Sequence, residues 1–260
     1  MKRRFNGRTD TGMMRAVNQD CLYYDPRGRF FIVADGMGGH AGGQEASKIA
    51  TQTISDYLEQ HWESDLNSEA LLHQAVEEAN EKILTDQQTH PERAEMGTTV
   101  VAVIFRKDQS WCVHVGDSRL YLWRENELSQ LTEDHTWVAW AIKSGTISEF
   151  EAQVHPWRHV LSQCLGRKEL HSIDIDILNI QSGDRLLLCS DGLTGEVPEE
   201  DIIGYLNEAK TCEEAVNQLI ETAKENGGSD NVTVIVVEEG ETEDSFGSQQ
   251  DATETLSSEY

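Results

Sequence analysis

The chain has 260 residues, 47 acids against 21 lysines and arginines, and a formal net charge of −26. Such a surface repels nucleic acid and anionic membranes, so neither is expected as a partner, and any phosphate site must make its own positive charge from metal ions or a placed arginine. The longest apolar run, "VVAVIF" at 100–105, is far too short to span a bilayer; the basic start "MKRRFNGRTD" has no apolar stretch behind it, and the five cysteines, an odd number without C-x-x-C spacing, read as free thiols, so a cytoplasmic monomer is expected.

Short runs of β-branched, leucine and aromatic residues predict strands at 21–24, 29–34, 98–105, 111–115, 120–123, 173–178, 185–189 and 232–237. Helical patterns cover 43–61, 68–88, 135–143, 199–207 and 212–225. Strands thus meet mostly through hairpins, and helices come in groups, which predicts an α+β fold of two antiparallel sheets flanked by helices. The length fits one large domain or two small ones, and one is expected over 1–237. Within it, 144–167 ("HPWRHVLSQCLG" and its approach) stands apart as an ordered loop or flap. The last 23 residues, 238–260, hold eight acids and no lysine or arginine, leaving −18 on the rest; this tail is expected to be disordered, because it cannot bury enough apolar surface to offset its ordering entropy.

Several aspartates share a context: an apolar strand begins or ends at an acid with a small neighbour. They are Asp35 in "FIVADG", Asp117 in "CVHVGDSRLYL", Asp191 in "RLLLCSDG" and Asp230 in "GGSDNVTVIVV"; Asp20 in "RAVNQD" precedes the strand at 21–24. Singly each reads as a turn residue. Together they can converge on one rim of a sheet, where carboxylates repel unless protonated or bridged by cations. Oxygen donors without paired cysteine or histidine suit Mg²⁺ or Mn²⁺ rather than Zn²⁺. Five glycines lie between Asp35 and Gln44, more than a hairpin turn requires, and a helical pattern rather than a second strand follows.

In order along the chain, "RAVNQD", "VADGMGGHAGG", "MGTT", "HVGDSRLY", "LTEDHT", "SDGL" and "GGSDNVT" resemble the motifs of the metal-dependent serine/threonine phosphatases of type 2C. The likeness covers about 7–237 and runs to the short bacterial members, among them cyanobacterial phosphatases of the PII nitrogen-signalling protein. It implies a four-layer sandwich and two Mg²⁺ or Mn²⁺ ions, with a possible third, whose bridging hydroxide attacks phosphoserine or phosphothreonine. By the resemblance, Asp35 would bridge both ions and the Gly36 carbonyl would complete one site. Asp191 and Asp230 would hold the other ion, Asp20 would hold metal-bound water, and Asp117 with Asp191 a third ion. Arg15 would bind phosphate, and His40 would protonate the leaving oxygen, although "MGG" separates it from Asp-Gly where many eukaryotic members read Asp-Gly-His. The glycines then let the chain fold tightly beside the metals. The implied partners are phosphoproteins, phosphorylated PII among them. The alternatives are a catalytically silent phosphoprotein-binding module of the same fold and a hydrolase of small phosphate esters. His155 and His159 could touch substrate or pack; His114 reads as a sheet or core residue, His135 as a helix cap, and Trp137, Trp140 and Trp157 as flap anchors.

Overall fold

The computed structural model describes residues 3–39 and 42–240. In chain order its elements are β1 (Arg4–Asp10), β2 (Asp20–Tyr24), β3 (Phe30–Met37), α1 (Gly42–His61), α2 (Ser68–Thr89), β4 (Gly97–Thr98), β5 (Val100–Arg106), β6 (Gln109–Val115), β7 (Arg119–Arg124), β8 (Glu127–Gln130), α3 (Trp137–Lys143), α4 (Glu149–Gln153), β9 (Asp174–Leu178), β10 (Arg185–Cys189), α5 (Asp191–Thr194), α6 (Glu199–Glu208), α7 (Cys212–Glu225) and β11 (Val232–Glu238). One sheet runs β1-β11-β10-β7-β8; the other runs β2-β3-β5-β6-β9, with β4 paired to β3. Every pairing is antiparallel.

Alternation along the strands builds the layers. Phe30 and Ile32 of β3 point to the helix pair α1–α2, together with Ala102 and Ile104 of β5. Phe31 and Val33 point the other way and meet Leu186, Leu188, Ile235 and Val237 of the opposite sheet. Leu187, Val234 and Val236 in turn face α6 and α7. The result is helices, sheet, sheet, helices, as expected. The phase also fixes where the acids go. Asp35 continues the series Phe31, Val33 on the inter-sheet face, and Asp20 begins the series Leu22, Tyr24 on the same face. Both lie where the apolar layer between the sheets runs out.

Several details differ from the sequence expectation. β1 and β8 were not predicted: each is an edge strand, and their sequences "RFNGRTD" and "ELSQ" lack a continuous apolar run. α3 starts at Trp137, not 135, because Thr136 is its cap and accepts from the Ala139 N–H at 3.1 Å; His135 is therefore no helix cap. The segment 144–167 is ordered around α4, whose Ser148 and Glu151 form a reciprocal capping box. β11 runs one residue past the expected boundary at 237. Glu238 is buried and pairs with Arg4 and Arg185, and buried Glu239 pairs with Arg3 at 2.6 Å. Each acid is held by a cation, which sequence composition alone does not reveal. The remainder of the acidic tail lies outside the described residues. Among the described residues no helix is long and apolar enough to cross a membrane.

Candidate metal centre

At the end of the sandwich where the inter-sheet layer opens, a cleft of about 770 Å³ is lined by Arg15, Asp35, Gly36, Asp117, Asp191 and Asp230, among others. Asp20 lies behind them, buried. The structure therefore brings together all five predicted acids, Gly36 and Arg15, from residues spread across more than 200 positions of sequence. His40 lies outside the described residues.

Backbone collisions and hydrogen bonds show how each acid is placed. Asp20 and Asp35 are direct cross-strand partners in the β2–β3 ladder. The Asp35 main chain is clamped by the "MGTT" residues: its carbonyl accepts from Thr99 N–H and Thr98 Oγ1, both at 2.9 Å, and its N–H donates to Thr99 Oγ1 at 2.9 Å. Thr99 Oγ1 and Ser118 Oγ lie 2.6 Å apart, tying this clamp to the Asp117 loop. Gly36 tolerates no side chain, since a Cβ there would stand 2.0 Å from the Gly43 carbonyl oxygen. A Cβ on Gly192 would stand 1.9 Å from the Asn231 carbonyl oxygen; this close approach is what sets Asp191 beside Asp230. Asn231 then fastens the arm carrying Arg15, accepting from Gln19 N–H at 2.8 Å and donating to the Thr11 and Val17 carbonyls. Arg15 itself donates to Asp230 Oδ2 at 2.7 Å and to the Ser229 carbonyl at 3.3 Å.

The electrostatics are those of an anionic site in want of cations. Asp35 is pushed well above the ordinary carboxylate range, first by burial and then by the charges of Asp20, Asp191, Asp117 and Asp230. Burial chiefly pushes Asp20 up to about 6, against hydrogen bonds from Thr233 and Ser190 at 2.7 Å each to its Oδ2. Burial, with Asp191 and Asp134, pushes Asp117 up to about 7, and Arg119 opposes them. Asp230 is raised by burial and Asp191, with Asn231 N–H and Arg15 opposing. Asp191 alone goes down: burial works against its charge, but His159, Asp35 and Arg119 together outweigh it. At 3.6 Å the His159–Asp191 pair is a charge contact rather than a hydrogen bond; it raises the imidazole's pKa in turn.

Do these residues fit metal ions? Asp20 Oδ1 is buried without a partner. Five carboxylates cluster here, opposed by Arg15, His159 and Arg119, and the donors are all oxygen. A buried, under-neutralised set of hard oxygen ligands fits Mg²⁺ or Mn²⁺.

The remaining predicted histidines separate. His155 stacks on Trp137, ring centroids 4.7 Å apart, and meets Trp157 edge-on, so it packs within the flap; Trp140 is 59 % exposed and stands outside that cluster. His114, His135 and Asp174 come together outside the cleft. His135 Nδ1 accepts from Gly116 N–H at 3.1 Å, so Nε2 carries the proton facing Asp174 Oδ2, also 3.1 Å away. That arrangement braces Gly116 beside Asp117 and leaves Nε2 no lone pair for a metal. His114 is buried against His135 and stays neutral, its pKa lowered by burial, and then by His135, to about 4. Thr99, Ser118, Ser190, Thr233 and Asn231 were missed as individual positions. Their only signal was membership of the motif strings, because a small polar residue beside an acid reads the same whether it clamps the site or caps a turn.

Over residues 14–233 the chain matches the family described as "Protein phosphatase 2C". It is 38 % identical over 235 residues to the serine/threonine protein phosphatase PstP of Mycobacterium tuberculosis, covering 90 % of this chain but only 45 % of that protein. It is 37 % identical over 240 residues to the serine/threonine phosphatase stp of Listeria monocytogenes, covering 89 % of this chain and 94 % of the relative. The crystal structure of M. tuberculosis PstP/Ppp superposes with a TM-score of 0.84 at 37 % identity, over 92 % of this chain and 99 % of that one. The PstP catalytic domain in complex with two manganese ions gives 0.81 at 35 %, over 91 % and 97 %.

Proposed function

Since the chain belongs to the protein phosphatase 2C family, we propose that it is a metal-dependent serine/threonine phosphoprotein phosphatase, working as a monomer in the reducing cytoplasm. One observation carries the reading. Asp20 and Asp35 face each other across a ladder behind a cleft lined by four further groups of the site, Asp117, Asp191, Asp230 and Arg15, and one Asp20 carboxylate oxygen is buried with no partner among the described residues. When ionised the two carboxylates repel, and bound cations would offset that repulsion.

Asp35 would bridge two ions, Gly36 would offer its carbonyl to one, and Asp191 and Asp230 would hold the other. Asp117, shared with Asp191, would hold a third, weaker ion, and Asp20 would order water from behind. When bound, two such ions bring water's pKa toward neutrality and offset the charge of phosphoryl oxygens. The chain supplies the rest. Arg15 is half-exposed at the cleft and held by one acid; a guanidinium so placed can take two phosphate oxygens and fix their orientation. His40 would give its proton to the departing serine or threonine oxygen, a role carried by the motif "HAGG". The five cysteines of the described chain form no disulfide, which supports a reducing compartment. Mn²⁺ is favoured by the relative that binds it, while Mg²⁺ suits the same donors. Phosphorylated PII is one candidate substrate and rests on the sequence resemblance alone.

The test is phosphate release from a phosphoserine protein with Mn²⁺ and with EDTA, for wild type and Asp191→Asn. Activity that needs metal and drops at least 100-fold in the variant is expected (an estimate at the scale of losing one transition-state contact). Activity that survives EDTA would sink the metal mechanism. Binding without turnover, under all metals, would favour the silent binding module.

A further inference from the structure

Most cations of this acidic protein are already used. Twelve of the twenty described lysines and arginines hold an acid within 4 Å. Arg106 and Lys107 donate to backbone carbonyls of the α1–α2 connection instead. Among the described residues Arg167 and Lys168 have no ion pair, and both line the cleft that holds Asp35 and Asp191. Arg158, also without an acid partner, borders the adjoining hollow on the far side of His159, which again touches Asp117 and Asp191.

The turn that carries Arg167 and Lys168 is rigidly built. Asn80 on α2 accepts from Gly166 N–H at 2.7 Å and donates to the Arg167 carbonyl at 3.1 Å. Gln87 donates to the Gly166 carbonyl at 3.0 Å. Gln163 and Ser172 close the turn with two bonds, at 2.9 and 3.0 Å. The backbone is thus fixed at both ends and in the middle while the two cationic side chains stay exposed. Arg167 is held through Nη1 alone, by the Met96 and Gly166 carbonyls, so the rest of its guanidinium fork is free. Glu169, the one acid on this turn, is 84 % exposed and points to His171 at 3.9 Å.

From this placement we propose that Arg167 and Lys168 form an anion subsite beside the reacting phosphate, which selects phosphoproteins carrying a second acidic group next to the phosphoserine. The inference rests on the phosphatase reading above and specifies its substrate class. The protein's overall negative charge does not defeat it: at physiological ionic strength charges more than about 8 Å away are screened, whereas a group in the subsite touches two cations that have no acid partner among the described residues. A pre-fixed turn also spares the ordering cost that weakens contacts made by mobile side chains.

The test uses three phosphoserine peptides of one length, flanked by alanine, by glutamate, or by a second phosphoserine, with p-nitrophenyl phosphate as a substrate too small to reach the turn. Exposed ion pairs are each worth a few-fold, so wild type should favour the acid-flanked peptides over the alanine peptide by about five- to tenfold in kcat/KM, mostly through KM. Lys168→Glu should abolish the preference and Lys168→Ala should halve it, both with unchanged p-nitrophenyl phosphate turnover. A preference for the second phosphoserine alone would still support the subsite and identify its anion as phosphate. Equal rates for all three peptides with wild type, or a preference intact in Lys168→Glu, would overturn it. If p-nitrophenyl phosphate is hydrolysed but no peptide is, the phosphoprotein reading itself fails and takes the subsite with it.

Discussion

Replacing Asp20 with asparagine should stabilise the metal-free protein while weakening its response to divalent cations. Asp20 sits across the ladder from Asp35, where opposed Cβ atoms are about 5 Å apart. Two unit charges at that distance repel by about 3 kcal/mol at an effective dielectric of about 20. The titration gives the same size. Burial chiefly pushes the Asp20 carboxyl up from 3.8 to about 6, and each pKa unit is worth about 1.4 kcal/mol. The first is repulsion by Asp35 and the second chiefly the cost of burying the charge; taking either alone, asparagine relieves about 3 kcal/mol. An asparagine oxygen can go on accepting from Ser190 and Thr233. Its amide nitrogen would replace the oxygen that has no partner and could donate toward Asp35. The sign follows from the raised pKa. The folded state binds the extra proton between pH 4 and 6, so metal-free wild type loses stability as pH rises through that window and does not regain it above. In EDTA at pH 7.5 the variant should melt about 6–12 °C above wild type, at 2–4 °C per kcal/mol for a chain of this size. Near pH 4 the two should melt together, and saturating Mn²⁺ should raise wild type more than the variant. A variant that melts below wild type in EDTA at pH 7.5 would refute the idea that the empty acid cluster stores repulsion.

Other perturbations test the scaffold. Gly192→Ala puts a Cβ 1.9 Å from the Asn231 oxygen; it should cost at least about 3 kcal/mol in urea unfolding and weaken Mn²⁺ binding, as both Asp191 and Asp230 must shift. Arg106→Met removes three 2.7 Å bonds to the Trp62, Ser64 and Leu66 carbonyls; unfolding should lose about 3–5 kcal/mol with KM unchanged. His159, raised by its contact with Asp191, contributes below its unfolded pKa and loses that contribution as pH rises through its folded one. Metal-free His159→Gln should therefore unfold more easily than wild type at pH 5.5 and equally at pH 9. Agreement at both pH values would show the contact to be energetically idle.

The layer arrangement and the acid cluster were legible because both are written in period-two alternation and in acids at strand ends. Asp35 read singly as a turn residue, and only beside Asp20, Asp117, Asp191 and Asp230 did "FIVADG" suggest a rim. What could not be read was partnership. Glu238 and Glu239 looked like the start of a solvated tail because nothing local marks Arg3, Arg4 and Arg185 as their neighbours. β1 was hidden because an edge strand needs only one good face, and Gly7 and three charged residues broke its pattern. His135 read as a cap since its true partners, Gly116 and Asp174, are 19 and 39 residues away. Thr99 and Asn231 hold the site by bonding distant backbone groups with their side chains, and nothing local in the sequence marks those partners.

The pairing of β1 with β11 has a geographic consequence. Asp10 lies opposite Val232, at the cleft end, and Arg4 lies opposite Glu238, at the other. β11 runs six residue steps from Val232 to Glu238, about 20 Å at 3.3 Å per residue. The two ends of the described fold therefore emerge side by side at the pole remote from the reacting phosphate. Cargo fused at either end, or a surface to which either end is tethered, would leave the cleft facing outward like the open end of a lamp on its stand. Joining those neighbouring ends with a short linker and reopening the chain at an exposed turn should likewise give a permuted protein with its acid cluster undisturbed.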